Sequence, residues 1–132
     1  MNDLEKFDQW NEVKKNTHNI TREKSIKEQG IYWVRIGNNI GKEIYGKGPF
    51  YTRPVLVIKI TPNGFWGIPM TSNLDKTSKF SYLFVDDKEK SQMALLEQLR
   101  FFDIKRIQTS MSRISDKDFT QLKIRLKSII EE

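Results

Sequence analysis

The chain has 132 residues, enough for one domain with a proper core and too few for two comfortable ones. It has no cysteine and a single histidine, His18, which excludes a disulfide framework, a thiolate nucleophile and Cys- or His-rich metal sites. Of its net charge of +6, nearly all sits in residues 31–80, with seven Lys/Arg against two Asp/Glu; such a basic surface points to a polyanion, either nucleic acid or an acidic protein segment.

Residues 3–16 predict a helix, with Leu4, Phe7, Trp10 and Val13 at spacings of three and Asn2 or Asp3 available as a cap. Residues 16–29 are polar, with Ile20 and Ile26 their only aliphatic side chains. Residues 1–29 thus read as an N-terminal helical extension and linker, and 30–132 as the domain proper. None of the first thirty residues forms a signal-like or membrane-spanning run, so the expected location is the cytoplasm.

Residues 31–36, IYWVRI, predict a strand. A loop with four glycines follows over 37–52, of the length that is usually functional. Residues 50–73 then read as a hairpin around Pro62-Asn63-Gly64, with Gly64 expected at the positive φ of a tight turn. Such a hairpin brings Arg53, at its entrance, beside Thr71, at its exit. Phe80, Tyr82 and Phe84 alternate with polar residues as a further strand, ending in a solvated charged turn of Asp86, Asp87 and Glu89. Residues 93–99 predict another strand, 100–107 continue it into a bend at 103–106, and 110–114 give one more. Ser115 and Asp118 form a capping box for a final helix whose Phe119, Leu122, Leu126, Ile129 and Ile130 share one face. Five or six short strands with a terminal helix predict a mainly β (α+β) fold, a small curved or partly open barrel.

The familiar catalytic signatures are missing. GKEIYGKG lacks the Ser/Thr of a phosphate loop, and a Ser-His-Asp set would have to recruit His18 from a polar linker. What remains is polar residues at strand ends: Glu43, Arg53, Thr71 with Ser72, and the Glu97, Gln98, Arg100 group. Read by themselves, Arg53 is equally a surface cation and Thr71 a turn residue. These residues support a basic barrel that binds something anionic.

IYWVRIG, a Gly-rich loop containing G-K-E, TRPVLVI, GIPMTSN, ALLEQLRFFDIKRI and M-S-R-I-S before a helix occur here in one order, over about residues 30–132. This succession resembles the MazF/PemK toxins of type II toxin-antitoxin systems. The resemblance implies an SH3-like, PemK/CcdB-type barrel that forms a homodimer. It also implies a metal-independent, cofactor-free endoribonuclease that cuts single-stranded mRNA at specific short sequences, leaving a 2′,3′-cyclic phosphate and a 5′-hydroxyl. On this resemblance Arg53, Thr71 and Glu43 match the family's catalytic positions and Gln98 its RNA groove. Ser72, Lys42, Lys47, Lys59 and Arg100 become candidate RNA contacts, with Phe50, Tyr45, Tyr51 or Trp66 available to stack on bases; Trp66 also reads as core. The loop between Glu43 and Arg53 is longer than in compact relatives, and Ser112 stands where many relatives have glycine. The resemblance further implies a cognate antitoxin partner, with neither membrane association nor DNA cleavage. Two other functions remain open: a non-catalytic RNA-binding barrel, and a gyrase-type protein poison. The poison acts through an apolar C-terminal tip, against which the Ile130-Glu131-Glu132 ending argues.

Overall fold

The computed structural model describes residues 26–37 and 52–132. The helix read at 3–16, most of the linker and most of the glycine-rich loop lie outside the described residues. Seven strands and one helix are found among those described: β1 (Gly30–Arg35), β2 (Thr52–Thr61), β3 (Gly64–Thr71), β4 (Ser81–Val85), β5 (Ser91–Leu95), β6 (Arg100–Asp103), β7 (Ile107–Arg113) and α1 (Asp116–Ile130). All pairings are antiparallel, in the order β4-β5-β3-β2-β1-β7, with β6 also on β3. Three register shifts, one in β2–β3 and two in β1–β7, bend the sheet in the manner of β-bulges.

The central strand is β3. One of its edges pairs with β2 from Val55↔Pro69 to Thr61↔Gly64. Its other edge is shared: Met70 and Thr71 pair with β5, and Gly64 to Gly67 pair with β6. Residues 93–99, expected as one strand, are therefore divided. The chain leaves the ladder at Leu95 and makes a 3-10 turn at Leu96–Gln98, with the Leu96 N–H on the Phe80 carbonyl at 2.8 Å. It then rejoins β3 at Gly67, three positions along from Met70.

Gly64 also departs from expectation. The only glycine with positive φ among the described residues is Gly37. Gly64 is needed instead because β6 lies so close that a Cβ there would overlap the Phe102 carbonyl and meet the Phe101 ring at 2.7 Å.

Apolar side chains bury on both faces of β2 and β3, which is why VLVI carries no polar alternation. On one face Ile31, Leu56, Ile68, Met70, Phe84 and Leu96 pack beneath Phe119 and Leu122 of α1, with Leu126 and Ile129 partly covered. Burying a leucine such as Leu122 contributes about 1.5–3 kcal/mol. Ile130, expected on this face, is 68% exposed at the helix end. The second face holds Val34, Ile36, Val55, Val57, Phe65 and Phe102, with Ile26 and Tyr32 against them. Among the described residues, contacts that precede β1 include Ile26 in this cluster and the Gln29 N–H on the Val57 carbonyl at 3.0 Å.

Polar contacts orient α1. The Ser115 hydroxyl caps it by accepting the Asp118 N–H at 3.1 Å, as the capping box predicts. The Tyr82 hydroxyl donates to Asp118 at 2.8 Å, while Arg125 lies over the Tyr82 ring and donates to the Ser81 carbonyl. Burial, then the Asp118 hydrogen bond and charge, push the Tyr82 phenol up to about 12, so it stays protonated as a donor.

The sheet does not close, and β4 and β7 are its two ends. Asp86 and Asp87, expected in a solvated turn, bridge the gap. Asp86 is only 5% exposed. Its Oδ1 accepts the Lys88 and Lys90 N–H groups, each at 2.9 Å, and its Oδ2 accepts Ser112 Oγ at 2.7 Å and Gln92 Nε2 at 3.2 Å. The Asp87 N–H bonds the Arg113 carbonyl, and the Arg113 N–H returns to the Asp87 carboxylate. Burial alone would raise the Asp86 pKa; the donors, led by the Lys90 N–H, outweigh it and hold the carboxyl below its ordinary value.

Two predictions follow from these close contacts. Gly64→Ala should destabilise the fold by about 1–3 kcal/mol in denaturant unfolding, through the forced separation of β3 and β6. Asp86→Asn should cost a similar ~1–3 kcal/mol at neutral pH by turning an acceptor into a donor opposite buried donors. A lowered folded pKa means the carboxylate's contribution is complete above the unfolded value of about 3.9 and is lost as pH falls through the folded one. The gap between wild type and Asp86→Asn should therefore be constant near neutrality and narrow below about pH 4; a gap that widens on acidification would contradict this assignment.

Candidate functional site

Arg53 and Thr71 are brought together by strand register. β2 and β3 pair as Val55↔Pro69, and the same register carried two residues further outward sets Arg53 opposite Thr71. Directly opposed Cα atoms in an antiparallel pair lie about 4.5–5.5 Å apart, with both side chains on the same face. That face is the one away from α1, shared with Val55, Val57 and Phe65.

The pair sits within a row that crosses the whole sheet. Leu83 on β4 pairs with Met93 on β5, Met93 with Thr71, Arg53 with Val34 on β1, and Val34 with Ile107 on β7. Met93 and Val34 are fully buried on either side of the polar pair, so Arg53 and Thr71 are flanked by apolar packing that limits their freedom. Sequence spacing pairs Arg53 with Thr71 but gives no sign of Met93, which joins the row only through the β3–β5 pairing.

The environment of Thr71 fixes the direction of its hydroxyl. Thr71 is 6% exposed, and its Oγ1 accepts the Asn73 N–H at 3.1 Å. The Asn73 side chain in turn accepts the Asp75 N–H at 3.1 Å, starting the 3-10 turn Leu74–Lys76. One Oγ1 lone pair is engaged by backbone, which leaves the hydroxyl proton and a second lone pair for another partner. Ser72 follows on the exposed rim. Arg53 is half-buried at the start of β2, held in the ladder against β1.

The other expected residues divide into three groups. Gln98 and Arg100 lie along the β6 side of β3, with Arg100 opposite Gly67 and its guanidinium 4.7 Å from the Phe102 ring centroid. Arg100 shares the site's edge of β3 but stands about four residues, some 13 Å, along the strand from Thr71, while Gln98 closes the 3-10 turn between β5 and β6. Lys59 is not brought to the site: it lies near the far end of β2 opposite Trp66, with its ammonium 4.0 Å from Glu28. Lys42, Glu43, Lys47 and Tyr51, like Tyr45 and Phe50, lie outside the described residues. Trp66 is not core; it is 43% exposed and meets Phe101 edge-on at 5.7 Å, beside Lys59. Among the described residues no group of three or more His, Cys, Asp or Glu could hold a metal, and no helix is long and apolar enough to cross a membrane.

What this arrangement offers chemically is a planar cation and an oriented hydroxyl on one surface, suited to the oxygens of a tetrahedral anion. Comparisons with known proteins bear on what that anion is. Among solved structures, MazF (Form-I) from Deinococcus radiodurans is similar at a TM-score of 0.66 and 17% identity, over 81% of this chain and 97% of that one. The MazE-MazF (Form-II) structure from the same organism gives 0.62 and 18%, over 80% and 96%. The Mycobacterium tuberculosis toxin MazF-mt6 gives 0.56 and 8%, over 77% and 96%. At these identities the likeness is one of fold. A comparison with curated proteins returned no match. The family model of PemK-like, MazF-like toxins of type II toxin-antitoxin systems matches residues 27–130, well over half of the chain, and the chain belongs to that family.

Proposed function

We propose that this protein is a toxin that cuts single-stranded RNA by attack of the 2′-hydroxyl on the adjacent phosphate. The observation that supports the reading is the β2–β3 register, which, extended two residues beyond Val55↔Pro69, sets Arg53 opposite Thr71 on one face of the sheet. RNA contains its own nucleophile, so no metal-bound water is required. The O2′–P bond forms and the P–O5′ bond breaks, giving a 2′,3′-cyclic phosphate and a 5′-hydroxyl. The enzyme's work is to remove the 2′ proton, to stabilise charge on the phosphoryl oxygens and to supply a proton to O5′.

Arg53 supplies fixed N–H donors to the developing phosphorane. It is a poor proton donor to the leaving group, because its pKa lies above about 12. Thr71 donates its hydroxyl proton to the same phosphate, its oxygen already aligned by the Asn73 N–H. Glu43 is the base that the family resemblance implies, and Gln98, Arg100 and Ser72 extend the contact along the strand. The protein acts as a homodimer in the cytoplasm. Its inhibitor is an antitoxin whose acidic segment competes for the basic surface; a relative of this fold has been solved as a MazE-MazF pair.

Purified protein incubated with a long unstructured RNA in EDTA should give discrete cuts with 5′-hydroxyl ends. Binding without cuts would instead favour the RNA-binding barrel, and no interaction at all the protein poison. Arg53→Ala should lower the rate by about a hundred- to a thousandfold without loss of folding. Wild-type rates in that variant would refute its role. Thr71→Val, which removes the donor but keeps the volume, should lower kcat with little change in KM; an effect confined to KM would make Thr71 a binding residue only.

A further inference from the structure

Along β3 from Gly64 to Thr71 every residue is buried except Trp66. Strand alternation puts Trp66 on the face of Ile68 and Met70, the side of α1, and away from that of Phe65 and Thr71. Its cross-strand partner on β6 is Phe101, which is 40% exposed and meets the indole edge-on. On β2 its partner is Lys59, and neither ring belongs to a core cluster. A single exposed apolar side chain needs no explanation, but two rings in contact on paired strands make a contiguous patch.

We propose that residues 3–16 of the same chain fold back as a helix and cover Trp66 and Phe101. The chain enters β1 from the same end of the sheet. Ile26 and Ile60 pack on one core cluster, and the Glu28 carboxylate accepts the Ile60 N–H at 3.3 Å and lies 4.0 Å from the Lys59 ammonium. The segment before β1 therefore runs beside the last residues of β2, two strand spacings, about 10 Å, from Trp66. Residues 17–25 can span up to about 30 Å, so a helix ending at residue 16 reaches the patch without strain. Leu4, Phe7, Trp10 and Val13 supply its apolar stripe, and a helix this short is marginal in water unless such a stripe is covered. Charge favours the same placement. Residues 3–13 carry Asp3, Glu5, Asp8 and Glu12 against Lys6 alone, whereas residues 31–132 carry seventeen Lys/Arg against eleven Asp/Glu, with Lys59 at the edge of the patch. The segment of a second copy could reach the same rings. A tether this short gives the chain's own segment the advantage, with an effective concentration on the order of millimolar. Docked on the side of α1, the segment leaves the face of Arg53 and Thr71 open.

Because the chain has no cysteine, two spin labels can be placed without background, at Gln9→Cys in the segment and at Asn63→Cys in the turn of the β2–β3 hairpin. The full chain should show one narrow distance of about 20 Å, a helix diameter and three residues of strand, and excess unlabelled chain should leave it unchanged. Phe7→Ser with Trp10→Ser should abolish the narrow distance. Trp66→Ser with Phe101→Ser, which alters exposed rings and leaves both core clusters intact, should do the same. A broad distribution in the otherwise unaltered chain would overturn the proposal. So would a narrow distance that survives Trp66→Ser with Phe101→Ser, since the segment would then sit elsewhere. A narrow distance that vanishes on dilution with unlabelled chain would put the segment on a second copy and overturn it as well.

Discussion

Pairing along both edges of β3, with side chains buried on both of its faces, is the constraint on which the rest of the molecule depends. A slip by one residue in β3 would exchange its two faces, sending Met70 and Ile68 out from under α1 and turning Thr71 inward. Register is therefore enforced from several directions, by β2, β5, β6 and the helix core. Gly64 and Gly67 are part of this arrangement, because the first admits the β6 backbone and the second the Val55 and Phe65 side chains. The candidate site inherits its precision from these contacts: Arg53 and Thr71 stand on strands whose pairing is fixed elsewhere by packing.

A sheet built around one strand leaves two ends to manage, and this protein manages them without closing the barrel. The gap between β4 and β7 is covered by α1 on one side and stitched by Asp86 and Asp87 at the turn. Here Ser112, in the position where many relatives are expected to carry glycine, supplies the shortest of the bonds to Asp86. A buried carboxylate is favourable only when its donors are all present, and Asp86 has four. The chemistry proposed for Arg53 thus sits on the face opposite the helix, while the network that ties the sheet ends together lies at its border.

Much of this was legible in the chain. The hairpin, the strand near 31–36 and the capped helix announce themselves because their signals are local: β-branched runs, a Pro-Asn-Gly turn, and a Ser and Asp three apart. The expectation that Arg53 stands opposite Thr71 follows from hairpin symmetry, and the observed β2–β3 register is consistent with it. The readings that changed concern contacts between distant segments. Residues 93–99 look like one strand, yet they divide at the 3-10 turn Leu96–Gln98, which the Phe80 carbonyl anchors through the Leu96 N–H. Asp86 looks like a surface acid because nothing near it announces Ser112, twenty-six residues away. Trp66, 43% exposed, packs edge-on against Phe101 of β6 rather than into either core cluster, a contact that depends on the β3–β6 pairing.

The sequence by itself determined the fold class, the hairpin and the two residues at its mouth, because hydrogen-bond register and side-chain alternation over twenty residues leave few arrangements. Only the tertiary structure decided which residues join that pair: the buried Met93 and Val34 beside it, with Ile107 beyond Val34. Those neighbours come from strands separated by up to about seventy positions, and their placement depends on bulges and on the shared edge of β3. Such placement is set by the packing of the whole sheet, which no local pattern encodes.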